Sequence, residues 1–160
     1  MADHPRVRVL KPYCNQTVST VRPKLRSYIR DYMPEWAWKL ADRHHLAVTL
    51  HLVRYRGCLN DPDNLATVLR VCNEYPNMKL ILAHCALAHN PDTLKAALRA
   101  VSNLDNLFFD SSGITESDAY CYVLDGFGPK KLLYGSDHPF GGTPGRLVQC
   151  GSTFIGLDPR

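Results

Sequence analysis

No stretch of this 160-residue sequence stays apolar for the roughly 18 residues that a membrane span needs. The opening residues, Met1-Ala2-Asp3-His4-Pro5, hold no apolar segment of the kind that drives secretion, so the expected compartment is the cytoplasm. None of the six cysteines (Cys14, Cys58, Cys72, Cys85, Cys121, Cys150) falls in a Cys-x-x-Cys pair, the close spacing of zinc knots and thiol redox motifs. Free, buried thiols are expected instead. Charge is scarce in clusters too: the net +4 comes from Lys and Arg spread along the chain. That leaves neither a nucleic-acid footprint nor a polybasic membrane patch. No linker, low-complexity tract or internal repeat divides the chain, and residues 1–160 read as a single domain.

What the sequence does have is an alternation of strand-like and helix-like segments. Residues 7–11 read as a short strand, and Pro34 opens a helix through Trp36, Ala37, Leu40 and Ala41. Residues 46–52 form a strand. Asp61 or Asp63 caps a helix whose apolar positions Leu65, Val68, Leu69 and Cys72 fall at i, i+3, i+4 and i+7. Residues 79–84 are a further strand. Asn90-Pro91 then starts a helix with the stripe Leu94, Ala97, Leu98 and Val101. A strand over 106–110, a helix over 117–127 stopped by Gly128-Pro129, and a last strand over 131–136 complete the series. The glycine-rich tail reads as irregular. Strands joined by single helices pair in parallel through right-handed crossovers, which gives an open doubly wound sheet or a (β/α) barrel.

Polar residues gather at the strand ends. His51, His84 and Asp137 finish three strands, and Lys11 and Asp110 close the other two, on the side where parallel α/β proteins build their sites. Strict alternation puts His51 on a face with Thr49 and Ala47, opposite Leu46, Val48 and Leu50, which pack against helices. The same rule groups His84 with Leu80 and Leu82, and Asp137 with Gly135 and Leu133. Two imidazoles and a carboxylate converging from separate strands suit a catalytic zinc, which takes about three protein ligands and keeps one position for water. The plainer alternatives stand beside this. A lone strand-end histidine is more often a hydrogen-bonded core or rim residue, Asp137 also reads as a helix cap, and Asp110 as an Asx-turn former.

Residues 80–84 (Leu-Ile-Leu-Ala-His) and 132–140 (Leu-Leu-Tyr-Gly-Ser-Asp-His-Pro-Phe) resemble two signature strands of the amidohydrolase-related family of metal-dependent barrel hydrolases, which also holds non-oxidative decarboxylases. Residues 36–51 resemble the helix and fifth strand of the same barrel. The resemblance implies a partial (β/α)8 barrel of about five parallel strands, those like the fourth to the eighth. It implies that His51, His84 and Asp137 bind a divalent metal, zinc first and manganese or iron next. His84 and Asp137 are the expected acid/base and proton-shuttling groups. Arg54 is the expected anchor of a substrate carboxylate, and Lys11 a polar group beside it. His89 and His138 are expected at the rim, while His44 and His45 end a helix, where a cation suits the dipole.

One part of the family pattern is missing: no His-x-His or Glu-x-His pair precedes Lys11. A complete barrel needs about 250 residues, so the expectation is its C-terminal part alone. Five strands leave two edges and an open flank, lined by Leu80, Leu82 and Leu133, for self-association or a complementary half-barrel chain. The expected activity is a metal-dependent hydrolase or non-oxidative decarboxylase acting on a small carboxylated or cyclic substrate. The alternatives are a silent fragment or interaction module, or one half of a split enzyme. A nucleotide or phosphate binder resting on residues 141–146 lacks the Lys-Ser/Thr of a phosphate loop.

Overall fold

The structure, a computed structural model, describes residues 7–14, 27–53 and 58–138 and the backbone of 146–150 and 153–157. Its main sheet has five parallel strands: β1 (Val9–Leu10), β2 (Ala47–Leu50), β3 (Lys79–Leu82), β4 (Leu107–Asp110) and β5 (Leu132–Leu133). They lie side by side in chain order, without a reversal. A doubly wound sheet reverses its strand order at a switch point. A parallel sheet that never reverses is an arc of a (β/α) barrel, so the open alternative falls away.

Helices supply the crossovers because their apolar stripes and caps are local properties of the sequence. Helix α1 is a single turn (Ile29–Tyr32), and α2 (Glu35–Arg43) buries Ala37, Trp38 and Ala41. Helix α3 (Pro62–Glu74) starts at Asp61, whose carboxylate accepts the backbone N–H groups of Asp63 at 3.1 Å and Asn64 at 3.2 Å. Replacing this buried cap by alanine, Asp61→Ala, should lower stability by about 1–2 kcal/mol, read from the midpoint of urea unfolding. A very short α4 (Ala83–Leu87) precedes α5 (Pro91–Val101), whose predicted stripe Leu94, Ala97, Leu98 and Val101 is wholly buried. Helix α6 (Ser117–Phe127) ends at Gly128 with φ of +78°, a backbone shape that a side chain resists.

Register fixes the two faces. Val48, Leu80 and Leu107 are neighbours across the strands, as are Leu50, Leu82, Phe109 and Leu132. Apart from the half-buried Leu132, this face is fully buried and belongs to one core with the helix stripes. On the other face Thr49, Ile81 and Phe108 are half-buried, while Val9 is 49% and Leu133 37% exposed. The described helices cover one side of the arc, and among the described residues no helix covers the side that a closed barrel would turn inward.

Three expectations need correction. Leu80 and Leu82 lie on the helix-covered face, not with His84 on the open one, because β3 stops at Leu82 and the chain turns before His84. The outer strands are shorter than predicted, two residues each, because each has one neighbour to pair with. The tail is not irregular: β6 (Arg146–Cys150) and β7 (Thr153–Leu157) form an antiparallel pair of their own.

Candidate functional site

The site gathers at the C-terminal ends of the strands. His51 follows β2 by one residue, keeps the parity of Thr49, and is half-buried on the open side. The Tyr32 hydroxyl donates to the His51 carbonyl at 3.0 Å and so ties α1 to this strand end. His51 stacks with Tyr13, ring centroids 5.8 Å apart, and meets the His84 ring edge-on at 5.0 Å.

His84 reaches that position by breaking alternation. His84, Cys85, Ala86 and Leu87 all have positive φ, between +46° and +63°, so α4 is a turn of left-handed sense. Such backbone costs L-residues about 1–2 kcal/mol each, and it persists only where surroundings over-determine it. Here they do. The His84 N–H donates to Asp110 Oδ1 at 2.9 Å, its Nδ1 lies 2.8 Å from the Ser112 carbonyl oxygen, and Cys85, Ala86 and Ala88 are buried around it.

Asp137, half-buried with φ of +50°, comes in from the other side of Gly113. A Cβ on Gly113 would sit 3.3 Å from His84 Nδ1 and 3.4 Å from Asp137 Oδ2, so this glycine is where the two side chains close in. Gly135 is equally confined, with Ser112 Cβ 3.0 Å from where its own Cβ would be. Lys11 is exposed beside β1, its ammonium 5.3 Å from the Tyr13 ring. A hydrogen bond with Tyr13 raises its pKa above the ordinary value, and the carboxylates of Asp137 and Asp110 add to that.

Electrostatics favour neutral imidazoles. Burial, then the neighbouring His84, lowers the His51 pKa from 6.5 to about 4, against the pull of Asp137. His51 is therefore neutral at pH 7, the form that ligates metals. Its Nδ1 is buried without a hydrogen-bond partner, whereas buried polar atoms are normally paired. His89, expected at the rim, is instead buried, and burial followed by His84 lowers its pKa. His138 is at the rim as expected, exposed, while His44 and His45 close α2. Arg54 lies outside the described residues.

The structure thus brings His51, His84 and Asp137 together, with Lys11 alongside. A metal fits these donors in kind: two imidazoles, one with an unclaimed nitrogen, and a carboxylate. It does not fit them in number, since among the described residues no group of three or more His, Cys, Asp or Glu is placed to hold an ion. Two contributors escaped the sequence reading: Ser112, which grips His84, and Tyr13, which stacks on His51. The only local signal for the first was the glycine that follows it.

The chain is similar to known proteins in sequence and fold. The family model described as Amidohydrolase matches residues 21–149. Among solved structures, Amidohydrolase 2 from Bifidobacterium longum subsp. infantis is 27% identical, with a TM-score of 0.50 over 67% of this chain and 42% of its own. An amidohydrolase from Burkholderia multivorans with bound zinc is 22% identical, at a TM-score of 0.46 over 65% of this chain and 43% of its own. The 2,6-dihydroxybenzoate decarboxylase from Rhizobium is 14% identical, at 0.47 over 65% of this chain and 44% of its own. The chain therefore spans less than half the length of these solved structures. No curated protein matches it.

Proposed function

Because the chain belongs to the amidohydrolase family, we propose that it supplies one part of the active site of a metal-dependent hydrolase or non-oxidative decarboxylase. The substrate we infer is small and carboxylated or cyclic. The observation that carries this reading is the unpartnered, buried Nδ1 of a neutral His51 beside the His84 ring. A buried imidazole nitrogen without a partner is costly unless something else occupies it.

In this reading His51, His84 and Asp137 hold a divalent ion, zinc before manganese or iron, together with donors from a complementary barrel segment. Such an ion supplies Lewis acidity at neutral pH. His84 accepts or returns a proton at Nε2, and the Asp137 carboxylate takes and passes on a proton beside it. Lys11 and Arg54 carry positive charge for a substrate carboxylate, with Arg54 suited to a bidentate grip. The exposed Val9 and Leu133 on the open face support the partner half of the proposal. A surface of that kind is what a second barrel segment would cover. No described helix is long and apolar enough to cross a membrane.

The test is metal uptake, measured by equilibrium dialysis and elemental analysis. The chain mixed with a segment carrying a His-x-His or Glu-x-His pair should take up about one zinc, because the pair completes a donor set that this chain offers only in part. His51→Ala and His84→Ala should each abolish uptake. Cys85→Ala should not, since burial pushes that thiol up to about 12 and keeps it protonated. Uptake under about 0.1 equivalent in the complemented chain would overturn the reading, because three well-placed ligands suffice for such an ion.

A further inference from the structure

Ser112 and Asp110 bind no ion in the proposal above, yet they surround His84. The Ser112 carbonyl oxygen lies 2.8 Å from His84 Nδ1. A carbonyl oxygen can only accept, so Nδ1 must carry the proton. The Ser112 hydroxyl is also close to Nδ1, at 3.0 Å, and by itself could donate or accept. Asp110 decides between them. Its Oδ1 lies 2.5 Å from Ser112 Oγ and takes the hydroxyl proton, which leaves Oγ as a second acceptor for Nδ1–H.

The same Asp110 Oδ1 accepts the backbone N–H of Ser112 at 3.0 Å and that of His84 at 2.9 Å. One carboxylate oxygen thus anchors both partners of the contact, at the end of β4 and in the left-handed turn after β3. Ser112 and His84 are each 6% exposed, so water has little access to compete for these bonds. Gly113, with φ of +65°, turns the chain so that the serine carbonyl lies against the ring.

We propose that Asp110 and Ser112 are positioning residues which hold His84 as its Nδ1–H tautomer and leave Nε2 as its free nitrogen. A neutral imidazole has one N–H, and with that proton held at Nδ1 the lone pair for a metal or a substrate proton is at Nε2. Partners of this sort fix ring orientation and raise ligand basicity. The left-handed turn gains a purpose: it is the backbone shape that carries His84 from the helix side to the place where these acceptors stand.

The inference rests on the proposed function for its purpose and not for its test. Ring-nitrogen NMR of the full chain at about pH 8, above the ordinary histidine range near 6.5, reports the tautomer directly, with His84 assigned by loss of its signals in His84→Gln. The expected spectrum has Nδ1 protonated and Nε2 unprotonated, with no averaging between the two. The opposite pattern, or an averaged one, overturns the proposal. In Asp110→Ala the pattern should shift to an average, and Asp110→Asn should restore it, because an amide oxygen can accept the same donors. A folded Asp110→Ala that keeps the single Nδ1–H tautomer overturns the role of Asp110. Should that variant fail to fold, the wild-type and Asp110→Asn spectra still decide the matter. Zinc uptake with the wrong tautomer sinks this inference alone, and the right tautomer without uptake sinks the proposed function alone.

Discussion

Phe109→Ala should lower the unfolding free energy by about 3–5 kcal/mol, the range for emptying a large aromatic site in a packed interior. Phe109 is fully buried on β4, in register with Leu82 on one side and Leu132 on the other. Its ring meets Phe127 of α6 edge-on, with centroids 5.2 Å apart. Alanine there would lose the apolar transfer energy and also leave a cavity between sheet and helix that neither can collapse into. Phe108, one residue earlier, gives the internal control. It points to the open face, half-buried, with the Lys131 ammonium 4.6 Å from its ring centroid. Phe108→Ala should cost much less, since part of its area is in water already and the cation–π contact adds only about 0.5–1 kcal/mol. Urea unfolding of both variants checks the assignment of faces. Equal losses, or a larger one at residue 108, would show that helices cover both sides of this sheet.

Much of that architecture could be read from the chain because the signals are local. The stripe Leu94, Ala97, Leu98, Val101 and the caps Asp61 and Asn90 each need only a few neighbouring residues, and all are found where the pattern puts them. The length of a strand is not local. β1 and β5 shorten to two residues at the edges of the sheet, where each pairs on one side only, and nothing in residues 7–11 or 131–136 encodes that. The pairing of β6 with β7 did leave a signal in the sequence: Thr153-Phe154-Ile155, a run of β-branched and aromatic residues, follows the turn-prone residue types Gly151-Ser152.

The site divides in the same way. That His51, His84 and Asp137 stand at strand ends follows from the period of two and the position of the polar residues. How His84 turns does not, because four successive non-glycine residues with positive φ contradict every local preference. The first of them, His84, is held by Asp110 and Ser112, distant by 26 and 28 residues in the chain. This explains the one error of parity. Alternation would have sent His84 to the helices with Leu80 and Leu82, and a long-range carboxylate redirects it to His51. Local rules locate the polar groups of this site, and non-local hydrogen bonds aim them.

The aim has a measurable consequence at His51. Its pKa falls from 6.5 to about 4 on folding, chiefly through burial and next through His84. The unfolded chain therefore binds a proton at His51 below about pH 6.5, while the folded chain does not until about pH 4. Stability rises with pH wherever the unfolded state holds more protons. The contribution of a neutral, buried His51 is thus complete above pH 6.5 and is lost as the pH falls toward 4. At about 1.4 kcal/mol per unit, the loss reaches about 3 kcal/mol, a large share of the roughly 5–15 kcal/mol that holds a domain folded. His89, lowered in the same direction by burial and then by His84, adds to the slope. Urea unfolding of the metal-free chain between pH 7 and pH 4 should show the decline, and His51→Gln should remove most of it, because glutamine has no proton to gain. A wild-type profile flat across that window would mean that the His51 ring is solvated. Its unpartnered Nδ1 would then be satisfied by water, and the main support for a metal at this site would be gone.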